Sequence, residues 1–367
     1  MLIVRSPVRI SFAGGGTDLP GYFERYGGAV VSTTINKYIY TILQKRSDDR
    51  IQVISSDLRV TETWENIERM SGTGTSLEIP LSTLQEIAFT SPVDMFLASE
   101  IPPGTGLGSS AGVCVCVLKA LTAYRGENLS KHRLAEISFQ IARKTLSKPV
   151  GKQDEFASAF GGLNYISFNS DGSVNVEPLG LPSDLISEFQ SSLMLFFTGL
   201  SHHSWTILQE QERTVNAPSS RALESLHEIR AFANEVRDVL KAGDLLAFGE
   251  LLHKGWEAKK RVSHMISNPH IDRMYHVARE NGALGGKITG AGGGGFLLLF
   301  CPPDAKKRVR EAMLALGSRE MNFEFDTCGA NVVVDDPFIG SDENGGVRWT
   351  FTPVSPLLSD SFWATKR

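Results

Sequence analysis

The chain has 367 residues, a length that predicts two or three domains rather than one small domain. Its 37 basic and 41 acidic residues nearly balance, which argues against a nucleic-acid-binding or membrane-surface protein. Arg5 and Arg9 interrupt the apolar stretch that a secretory signal needs, and no apolar run reaches the ~18 residues of a membrane-spanning helix. The four cysteines lie in apolar segments and are expected to be reduced core residues, so we expect a soluble cytoplasmic protein.

The first half of the chain combines β-branched segments with segments of helical periodicity. The β-branched segments predict strands over 2–12, 29–43, 51–56 and 161–168. The helical periodicity predicts helices over 80–99, 111–124, 130–147 and 154–160. The helix at 111–124 follows Ser109 and Ser110, either of which can act as its N-cap.

The second half begins after a polar turn at 169–173, which is the predicted boundary between domains 1–168 and 169–335. The patterns beyond it predict strands over 192–199, 294–302 and 321–334, and helices over 203–213, 219–241, 244–262, 270–281 and 303–317. Residues 336–367, rich in Pro, Gly, Ser and Asp, are predicted to form a surface tail. Because strands occur both in pairs and in alternation with helices, we predict an α+β fold in two lobes.

Glycine is unevenly distributed along the chain. Of the 35 glycines, 18 lie in the windows 14–28, 104–112 and 282–295, which together span 38 residues. A glycine has no Cβ, so the backbone on which it lies can approach another group closely. The clustering therefore predicts three loops whose backbone lies against a ligand or against another loop.

The second window reads Ile-Pro-Pro-Gly-Thr-Gly-Leu-Gly-Ser-Ser-Ala-Gly over 101–112 and continues into an apolar helix. The N–H groups of such a loop and the positive end of the helix dipole can surround an anion. The hydroxyls of Ser109 and Ser110 can contact a phosphate or a phosphate-bound Mg²⁺. The spacing matches neither a Walker loop nor a dinucleotide fingerprint. A phosphate loop and a turn that only caps a core helix both remain open.

The first window places Arg9 on a strand that leads into three glycines, followed by Thr17 and Asp18. The Asp18 carboxylate can accept two hydrogen bonds from sugar hydroxyls, or it can cap the segment that follows. In the third window five of the six residues over 290–295 are glycine, and a strand follows at once. That context favours a loop pressed against a ligand or another loop.

A fourth element, Pro-Val-Gly-Lys-Gln-Asp-Glu over 149–155, places Asp154 near the start of a predicted helix. A carboxylate at this position commonly serves as an N-cap or a first-turn residue. Because two anion-binding loops are predicted elsewhere, Asp154 is also a candidate general base.

In this order, the four elements resemble the GHMP kinase superfamily, which includes galactokinase, homoserine kinase, mevalonate kinase and phosphomevalonate kinase. Its three motifs are similar to residues 6–18, 102–112 and 287–295, and the resemblance extends over residues 1–335. The resemblance implies an α+β fold with two lobes. The N-terminal lobe would be like the second domain of ribosomal protein S5, and the C-terminal lobe would be ferredoxin-like.

The resemblance also implies roles for individual residues. Asp154 matches the catalytic carboxylate that accepts the proton of the sugar's anomeric hydroxyl. Arg9 matches the basic residue of the first motif, which would either lower the pKa of that hydroxyl or stabilise charge on the transferring phosphoryl group. Ser110 matches the Mg²⁺ contact. The implied ATP-binding residues are Pro103, Gly104, Thr105, Gly106, Leu107, Gly108, Ser109, Ser110 and Ala111. The implied substrate-binding residues are Gly15, Gly16, Thr17, Asp18, Gly290, Ala291, Gly292 and Gly293.

One position departs from the superfamily pattern. The superfamily usually has a metal-binding Glu immediately before an Arg upstream of the catalytic Asp, and Ala142 occupies that place before Arg143. Mg²⁺ would then be held mainly by ATP oxygens, Ser110 and water, or by another carboxylate such as Glu136.

Within the superfamily, the segments at 7–20, 35–38, 150–154 and 282–287 resemble kinases of heptose 7-phosphate. The resemblance implies ATP- and Mg²⁺-dependent phosphorylation of the anomeric hydroxyl of that small-molecule sugar phosphate, in nucleotide-activated heptose biosynthesis. It implies no nucleic-acid or membrane partner and leaves a homo-oligomer open. A kinase for fucose or galactose and a catalytically idle sensor of ATP or sugar phosphate are the alternatives. The sugar phosphate could be bound by Arg5, Lys37 or Lys152, among which neither spacing nor motif chooses.

Overall fold

The computed structural model describes residues 1–65, 74–200, 204–216 and 221–336. Their strands are β1 (Leu2–Ala13), β2 (Gly28–Lys45), β3 (Ile51–Ser55), β4 (Val60–Trp64), β5 (Val93–Ser99), β6 (Leu163–Phe168), β7 (Val174–Pro178), β8 (Leu193–Phe197), β9 (Gly285–Ile288), β10 (Phe296–Phe300), β11 (Arg319–Glu320), β12 (Phe325–Asp326) and β13 (Asn331–Asp335). Their helices are α1 (Pro20–Tyr26), α2 (Glu78–Glu86), α3 (Ser109–Tyr124), α4 (Lys131–Gln140), α5 (Gln153–Phe160), α6 (Ser183–Ser191), α7 (Ser204–Asn216), α8 (Arg221–Ala242), α9 (Leu245–Val262), α10 (Pro269–Glu280) and α11 (Lys306–Ala315).

The larger sheet runs in the order β13-β1-β2-β5-β3-β4, with β6 and β12 paired to β2 and β7 paired to β6. The pairing of β3 with β5 is parallel, and the other pairings in this sheet are antiparallel. The long strands β1 and β2 pair along most of their length and place Arg9 opposite Thr34. The C-terminal part of β1 is buried at every residue, which indicates that both of its faces are covered there.

The smaller sheet is antiparallel, in the order β11-β8-β10-β9. Its central strands read Leu-Met-Leu-Phe-Phe and Phe-Leu-Leu-Leu-Phe, continuous apolar runs that suit a sheet covered on both faces. Alternate residues of β8 point in opposite directions. Accordingly, Leu195 packs in the core shared with the larger sheet, whereas Met194 packs against the C-terminal helices.

Four aromatic rings join the two sheets. Phe12 of β1 lies 5.3 Å from Phe189 of α6 and 5.6 Å from Phe248 of α9, measured between ring centroids. Phe248 continues the contact to Phe300 of β10 at 5.3 Å. Edge-to-face packing at these distances fixes the two sheets relative to one another.

Most of the predicted elements are present, and the α+β class with its two sheets is confirmed. The prediction of one helix over 80–99 is wrong, because helix α2 ends at Glu86 and strand β5 begins at Val93. Pro92, which lacks an N–H and disfavours a helical residue before it, separates the two elements. The alternating exposure of β5 is the period-two pattern of a strand.

The helix predicted over 130–147 consists of α4 followed by a π-helical turn over Ile141–Thr145. Single π turns within helices are frequent at functional sites. This turn carries Ala142, the position at which the chain departs from the superfamily pattern.

The predicted boundary at 169–173 is the hairpin turn between β6 and β7, two paired strands of the larger sheet. Strands β12 and β13, from the C-terminal half, return to pair with β2 and β1. The division into domains 1–168 and 169–335 stays a prediction, and residues 337–367 of the predicted tail lie outside the described residues. In the part of the chain that is described, no helix has both the length and the apolar character to cross a bilayer.

Candidate active site

A cavity of about 370 Å³ lies where the three glycine-rich loops meet the start of α5. From the predicted ATP site its wall includes Pro103, Gly104, Gly106, Gly108, Ser109, Ser110 and Ala111. From the predicted catalytic and sugar sites it includes Arg9, Gly16, Asp18, Asp154, Gly290 and Ala291. The sequence predicted nineteen site positions in separate segments, and thirteen of them surround this one space. The fold therefore brings the separate motifs into a single candidate site.

Arg9 and Asp154 form a two-bond ion pair in the wall of this cavity. Nε of Arg9 donates to Oδ1 of Asp154 at 2.8 Å, and Nη2 donates to Oδ2 at 2.8 Å. The Arg9 side chain is 4% exposed, whereas that of Asp154 is 27% exposed. Helix α5 has Lys152 at its N-cap and no side-chain capping bond, so Asp154 does not serve as the cap. The geometry leaves the Asp154 carboxylate oriented by Arg9 and accessible from the cavity.

The predicted ATP loop is anchored to β1 through its backbone. The backbone N–H of Arg9 donates to the carbonyl of Leu107 at 2.9 Å, and its Nη1 donates to the carbonyl of Gly106 at 2.6 Å. Helix α3 begins directly after the loop, at Ser109, so its first N–H groups face the same cavity. This arrangement is suited to hold phosphate groups.

Two of the predicted ATP-binding residues do not line the cavity. Thr105 is buried, and its hydroxyl donates to the carbonyl of Pro102 at 2.9 Å. Leu107 is fully buried and packs in the core shared by the two sheets. Both residues stabilise the loop through contacts outside the cavity.

The second and third glycine windows lie against each other. A Cβ at Gly106, whose φ is +79°, would lie 2.3 Å from the carbonyl oxygen of Thr289. A Cβ at Gly290 would lie 2.6 Å from Cα of Gly106. Neither position can therefore carry a side chain without moving the other loop. This contact confirms that glycine clustering reflects close backbone approach.

The third window divides between two environments. Gly290 and Ala291 line the cavity. Gly292 and Gly293 pack against Ile266 instead, with the N–H of Gly293 donating to the Ile266 carbonyl at 2.8 Å. The substrate-binding assignment of Gly292 and Gly293 therefore has no support from the cavity wall.

Asp18 is buried and lines the cavity. Its carboxylate accepts the N–H of Gly16 at 2.9 Å and contacts Gln153 through the backbone N–H at 3.3 Å and the side-chain amide at 3.2 Å. Burial raises the pKa of Asp18, and the nearby Asp154 raises it further. A Cβ at Gly151 would lie 2.0 Å from Oδ2 of Asp18, so this glycine makes room for the carboxylate.

Gly15 and Thr17, also predicted to bind substrate, are not part of the cavity wall. The Thr17 hydroxyl lies 2.8 Å from the carbonyl oxygen of Gly14 and 3.0 Å from that of Ala29. It holds the turn against β2, which places Asp18 in the wall of the cavity.

Several polar side chains of the wall were not predicted, among them Gln153, Gln211 and Lys259. The amide oxygens of Gln153 and Gln211 are buried and accept no hydrogen bond within the described part of the chain. Nζ of Lys259 donates to the carbonyl of Gly15 at 3.0 Å. Buried acceptors without partners are suited to ligand hydroxyls. Gln153 could have been suspected from its position before Asp154, whereas Gln211 and Lys259 carry no sequence signal of this role.

Two buried lysines add positive charge beside Asp18. Burial lowers the pKa of Lys259 to about 8. Burial, and then the charge of Lys259, lower the pKa of Lys287 to about 7. An anionic ligand nearby would favour the charged form of both ammonium groups.

None of the cations suggested from the sequence lines the cavity. Lys37 is absent from its wall, Arg5 stacks on Tyr38, and Lys152 binds Glu136.

The cavity wall also contains the position of the missing metal ligand. Ala142 lines the cavity from its π-helical turn. The suggested substitute Glu136 does not line it, because its carboxylate binds Nζ of Lys152 at 2.8 Å. Within residues 1–65, 74–200, 204–216 and 221–336, no group of three or more His, Cys, Asp or Glu could hold a metal ion. A metal here would need oxygens of the nucleotide in addition to protein ligands.

Glu155 is a carboxylate of the wall that the sequence did not mark. It is 2% exposed, and its Oε2 has no hydrogen-bond partner among the described residues. Burial raises the pKa of Glu155 well above its usual range, and the neighbouring Asp154 adds to this rise.

Family models of the GHMP kinases match two parts of the chain. The model of the N terminal domain matches residues 59–162, and the model of the C terminal region matches residues 236–319. The two matches lie in the same order as the motifs read from the sequence.

Curated relatives and solved structures agree with these models. D-glycero-alpha-D-manno-heptose 7-phosphate kinase of Campylobacter jejuni is 32% identical to this chain, over 88% of the chain and 95% of the relative. Galactokinase of Pyrococcus furiosus is 25% identical, over 85% of the chain and 92% of the relative. The crystal structure of a D-glycero-D-manno-heptose 1-phosphate kinase from Bacteroides thetaiotaomicron has a TM-score of 0.77 and 27% identity, covering 91% of this chain and 99% of that one. The chain therefore belongs to the GHMP kinase family, and it is an ATP-dependent sugar kinase.

Proposed function

We propose that the chain transfers the γ-phosphate of ATP to the anomeric hydroxyl of a heptose 7-phosphate and so produces the 1,7-bisphosphate. The observation that carries the proposal is the ion pair of Arg9 and Asp154, which stands in the cavity wall together with the phosphate loop and Asp18. The 32% identical relative, a heptose 7-phosphate kinase, supports the choice of sugar.

In this proposal Asp154 is the general base. Its carboxylate accepts the proton of the anomeric hydroxyl as the oxygen attacks the γ-phosphorus, and the bond from that phosphorus to the β–γ bridging oxygen breaks. Arg9 holds both carboxylate oxygens in place, and its charge stabilises the negative charge that develops on the transferring group. ADP is the leaving group. The proton ends on Asp154, and the phosphoryl group ends on the anomeric oxygen of the sugar.

The polar residues beside Asp154 would orient the sugar. Asp18 and the amide oxygens of Gln153 and Gln211 are acceptors for sugar hydroxyls, and the two amide oxygens have no other partner among the described residues. Lys259 supplies a buried positive charge to the same part of the wall and is suited to the phosphate of the sugar.

The loop before α3 would hold the phosphates of ATP. Its N–H groups and the first N–H groups of the helix face the cavity, as does the hydroxyl-bearing Ser110. Mg²⁺, when bound with the nucleotide, neutralises part of the phosphate charge. Ser110 would be one of its contacts. We keep a cytoplasmic location and a role in nucleotide-activated heptose biosynthesis as parts of this proposal.

A coupled assay of ADP release tests the proposal. The purified chain would be given ATP and Mg²⁺ with heptose 7-phosphate, unphosphorylated heptose, galactose or fucose in turn, and ³¹P NMR would locate the new phosphate. We expect turnover with heptose 7-phosphate and a signal for an anomeric phosphate. Turnover with galactose or fucose alone would reject the substrate. ATP binding without turnover of any sugar would indicate a sensor.

The Asp154→Asn variant tests the base in the same assay. We expect kcat to fall by about 100-fold or more, because the amide cannot accept the hydroxyl proton. An unchanged kcat would mean that Asp154 is not the base. Asp48→Asn, which alters an exposed partner of Arg46 outside the cavity wall, is the matched control.

A further inference from the structure

Ala142 stands where the family usually has a metal-binding carboxylate, so another group is needed to hold the nucleotide-bound metal. Ala142 lines the cavity, so this position belongs to the cavity wall, but its side chain offers no ligating atom there. Ser110 provides one neutral hydroxyl from α3. Mg²⁺ in kinase sites is usually bound by one or two carboxylates in addition to substrate phosphates. Another carboxylate in the same wall would meet this need.

Among the described acidic residues of the wall, Asp154 and Asp18 already have partners. Asp154 accepts two bonds from Arg9, and Asp18 accepts bonds from Gly16 and Gln153. These hydrogen bonds orient Asp154 for the proposed proton transfer and Asp18 for binding of the sugar. Neither is free to act mainly as a metal ligand.

Glu155 differs from both. It is buried to the same degree as the core, yet its Oε2 accepts no hydrogen bond within the described residues, and it lines the cavity. A buried carboxylate that lacks a partner is destabilising, so native proteins rarely keep one unless an ion or ligand completes it. The cations in the same wall have other partners: Arg9 binds Asp154, Lys148 pairs with Glu78, and Lys259 donates to the carbonyl of Gly15.

The position of Glu155 also fits a site shared with α3. Ser110 and Cys114 lie four residues apart on α3, so they occupy one face of this helix, and both line the cavity. Glu155 lies in the first turn of α5 and lines the same cavity as that face and as Ala142. The wall thus combines a hydroxyl, an unpaired carboxylate and the position from which the usual carboxylate is missing.

We propose that Glu155 has taken over the metal-binding role that is absent at Ala142, and that it holds the nucleotide-bound Mg²⁺ together with Ser110. This inference rests on the proposed function, because the metal enters with ATP. The metal ligand of this chain would then be the residue immediately after the proposed catalytic base. It would replace a ligand at the position of Ala142, in the preceding helical segment.

Metal affinity measured in the full-length chain tests this assignment without turnover. The chain would be saturated with the β,γ-imido analogue of ATP, and bound Mn²⁺ would be measured by electron paramagnetic resonance. We expect Glu155→Gln to weaken Mn²⁺ binding by about 10- to 100-fold. The affinity for the analogue in EDTA should stay within about twofold of the wild-type value, because without metal the carboxylate makes no contact with the nucleotide. Equal Mn²⁺ affinities in the variant and the wild type would overturn the inference.

A second variant and a control separate metal binding from folding. Glu136→Gln changes a carboxylate outside the cavity wall and should leave the Mn²⁺ affinity unchanged. Thermal unfolding without ligands should show that Glu155→Gln is at least as stable as the wild type, because the change removes an unpaired buried carboxylate. A clear loss of stability would indicate a structural partner for Glu155 and would contradict the proposal.

The same experiment distinguishes this inference from the proposed function. If the analogue binds the wild type and Mn²⁺ binding does not depend on Glu155, only the metal assignment fails. If the wild-type chain does not bind the analogue at all, the nucleotide site itself is wrong and both proposals fail.

Discussion

Arg9 and Asp154 lie 145 positions apart in sequence, and two parallel hydrogen bonds of 2.8 Å join their side chains. The pair forms because β1 carries Arg9 past the start of α5, where the second residue is Asp154. A planar guanidinium fits a carboxylate in this two-bond geometry, which an ammonium group cannot reproduce. The pair thus holds the proposed base in one orientation and places a charge next to it.

The first prediction concerns the geometry of this pair. Arg9→Lys keeps the positive charge but loses the second hydrogen bond and the bond to the Gly106 carbonyl. We expect kcat to fall by about 100-fold, because both the orientation of Asp154 and the stabilisation of the transferring phosphoryl group suffer. Steady-state kinetics at saturating ATP and sugar measure the effect.

Arg46→Lys is the matched control for this variant. Like Arg9, Arg46 forms ion pairs with carboxylates, in this case those of Asp48 and Asp94, but it lies outside the cavity wall. Its substitution should leave kcat unchanged. If Arg9→Lys retained the wild-type kcat, the two-bond geometry would have no role in catalysis.

The second prediction concerns the contact between two glycine-rich loops. Gly106→Ala would place a methyl group 2.3 Å from the carbonyl oxygen of Thr289 at a φ of +79°. We expect a loss of about 2 kcal/mol or more in the free energy of unfolding and a higher KM for ATP, because the loop must move away from its neighbour. Denaturant unfolding and steady-state kinetics provide the two measurements.

Gly126→Ala separates the clash from the backbone conformation. Gly126 has a similar φ of +74°, but nothing lies within 4 Å of the position of its Cβ. Its substitution should cost only about 1 kcal/mol and leave the KM for ATP unchanged. Equal losses of unfolding free energy in the two variants would show that the contact with Thr289 does not contribute to stability.

The third prediction concerns recognition of the sugar. Gln211 lines the cavity, and Gln211→Leu removes a buried amide oxygen that has no partner among the described residues. We expect the KM for the sugar to rise about 10-fold, because the loss of one hydrogen bond weakens binding by about that factor. The KM for ATP should stay the same. Glu210→Gln, one position earlier on α7 and outside the cavity wall, is the control. A selective rise in the KM for ATP would place Gln211 at the nucleotide instead.

The fourth prediction concerns pH. The pKa of Lys287 is lowered by burial from 10.5 to about 7, so between these values the folded chain binds fewer protons than the unfolded chain. Stability from this group is therefore complete above pH 10.5 and is lost as the pH falls towards 7. Between pH 7.5 and 9.5 we expect the denaturant midpoint to increase with pH, because this lysine adds at most about 1.4 kcal/mol per pH unit to the free energy of unfolding.

Lys287→Met should flatten this dependence, because methionine does not titrate. Lys307→Met, which changes an exposed lysine on α11, should keep the wild-type slope. Denaturant midpoints at several pH values compare the three chains. A slope in Lys287→Met as steep as that of the wild type would mean that other groups cause it. The lowered pKa of Lys259, to about 8, is expected to leave a smaller slope in the variant.

Much of the fold follows from local patterns. The strand over 2–12 and the helix over 111–124 are long, strongly patterned segments, and both are present. Short elements such as α1, β4 and β9 were not predicted, because four to seven residues carry little periodicity. The split of 80–99 into a helix and a strand depends on Pro92 and on pairing with β2 and β3, and pairing is a tertiary interaction.

The candidate site divides in the same way. Arg9, Asp18, Asp154 and the two serines of the phosphate loop could be chosen because each lies in a motif. Gln211, Lys259 and Glu155 could not, because single polar residues on helices are usually exposed to solvent. Their burial and their missing partners arise from packing against distant segments.

The sequence by itself determined the three glycine-rich loops, the candidate residues for binding phosphate and sugar, and the family to which these motifs belong. It could do so because backbone freedom and residue chemistry are local properties. Only the tertiary structure decided that Gly106 lies against Thr289, that Glu136 pairs with Lys152, and that Glu155 is buried in the cavity wall with its Oε2 unpartnered among the described residues. These relations depend on which distant side chains become neighbours, and spacing along one chain does not contain that information.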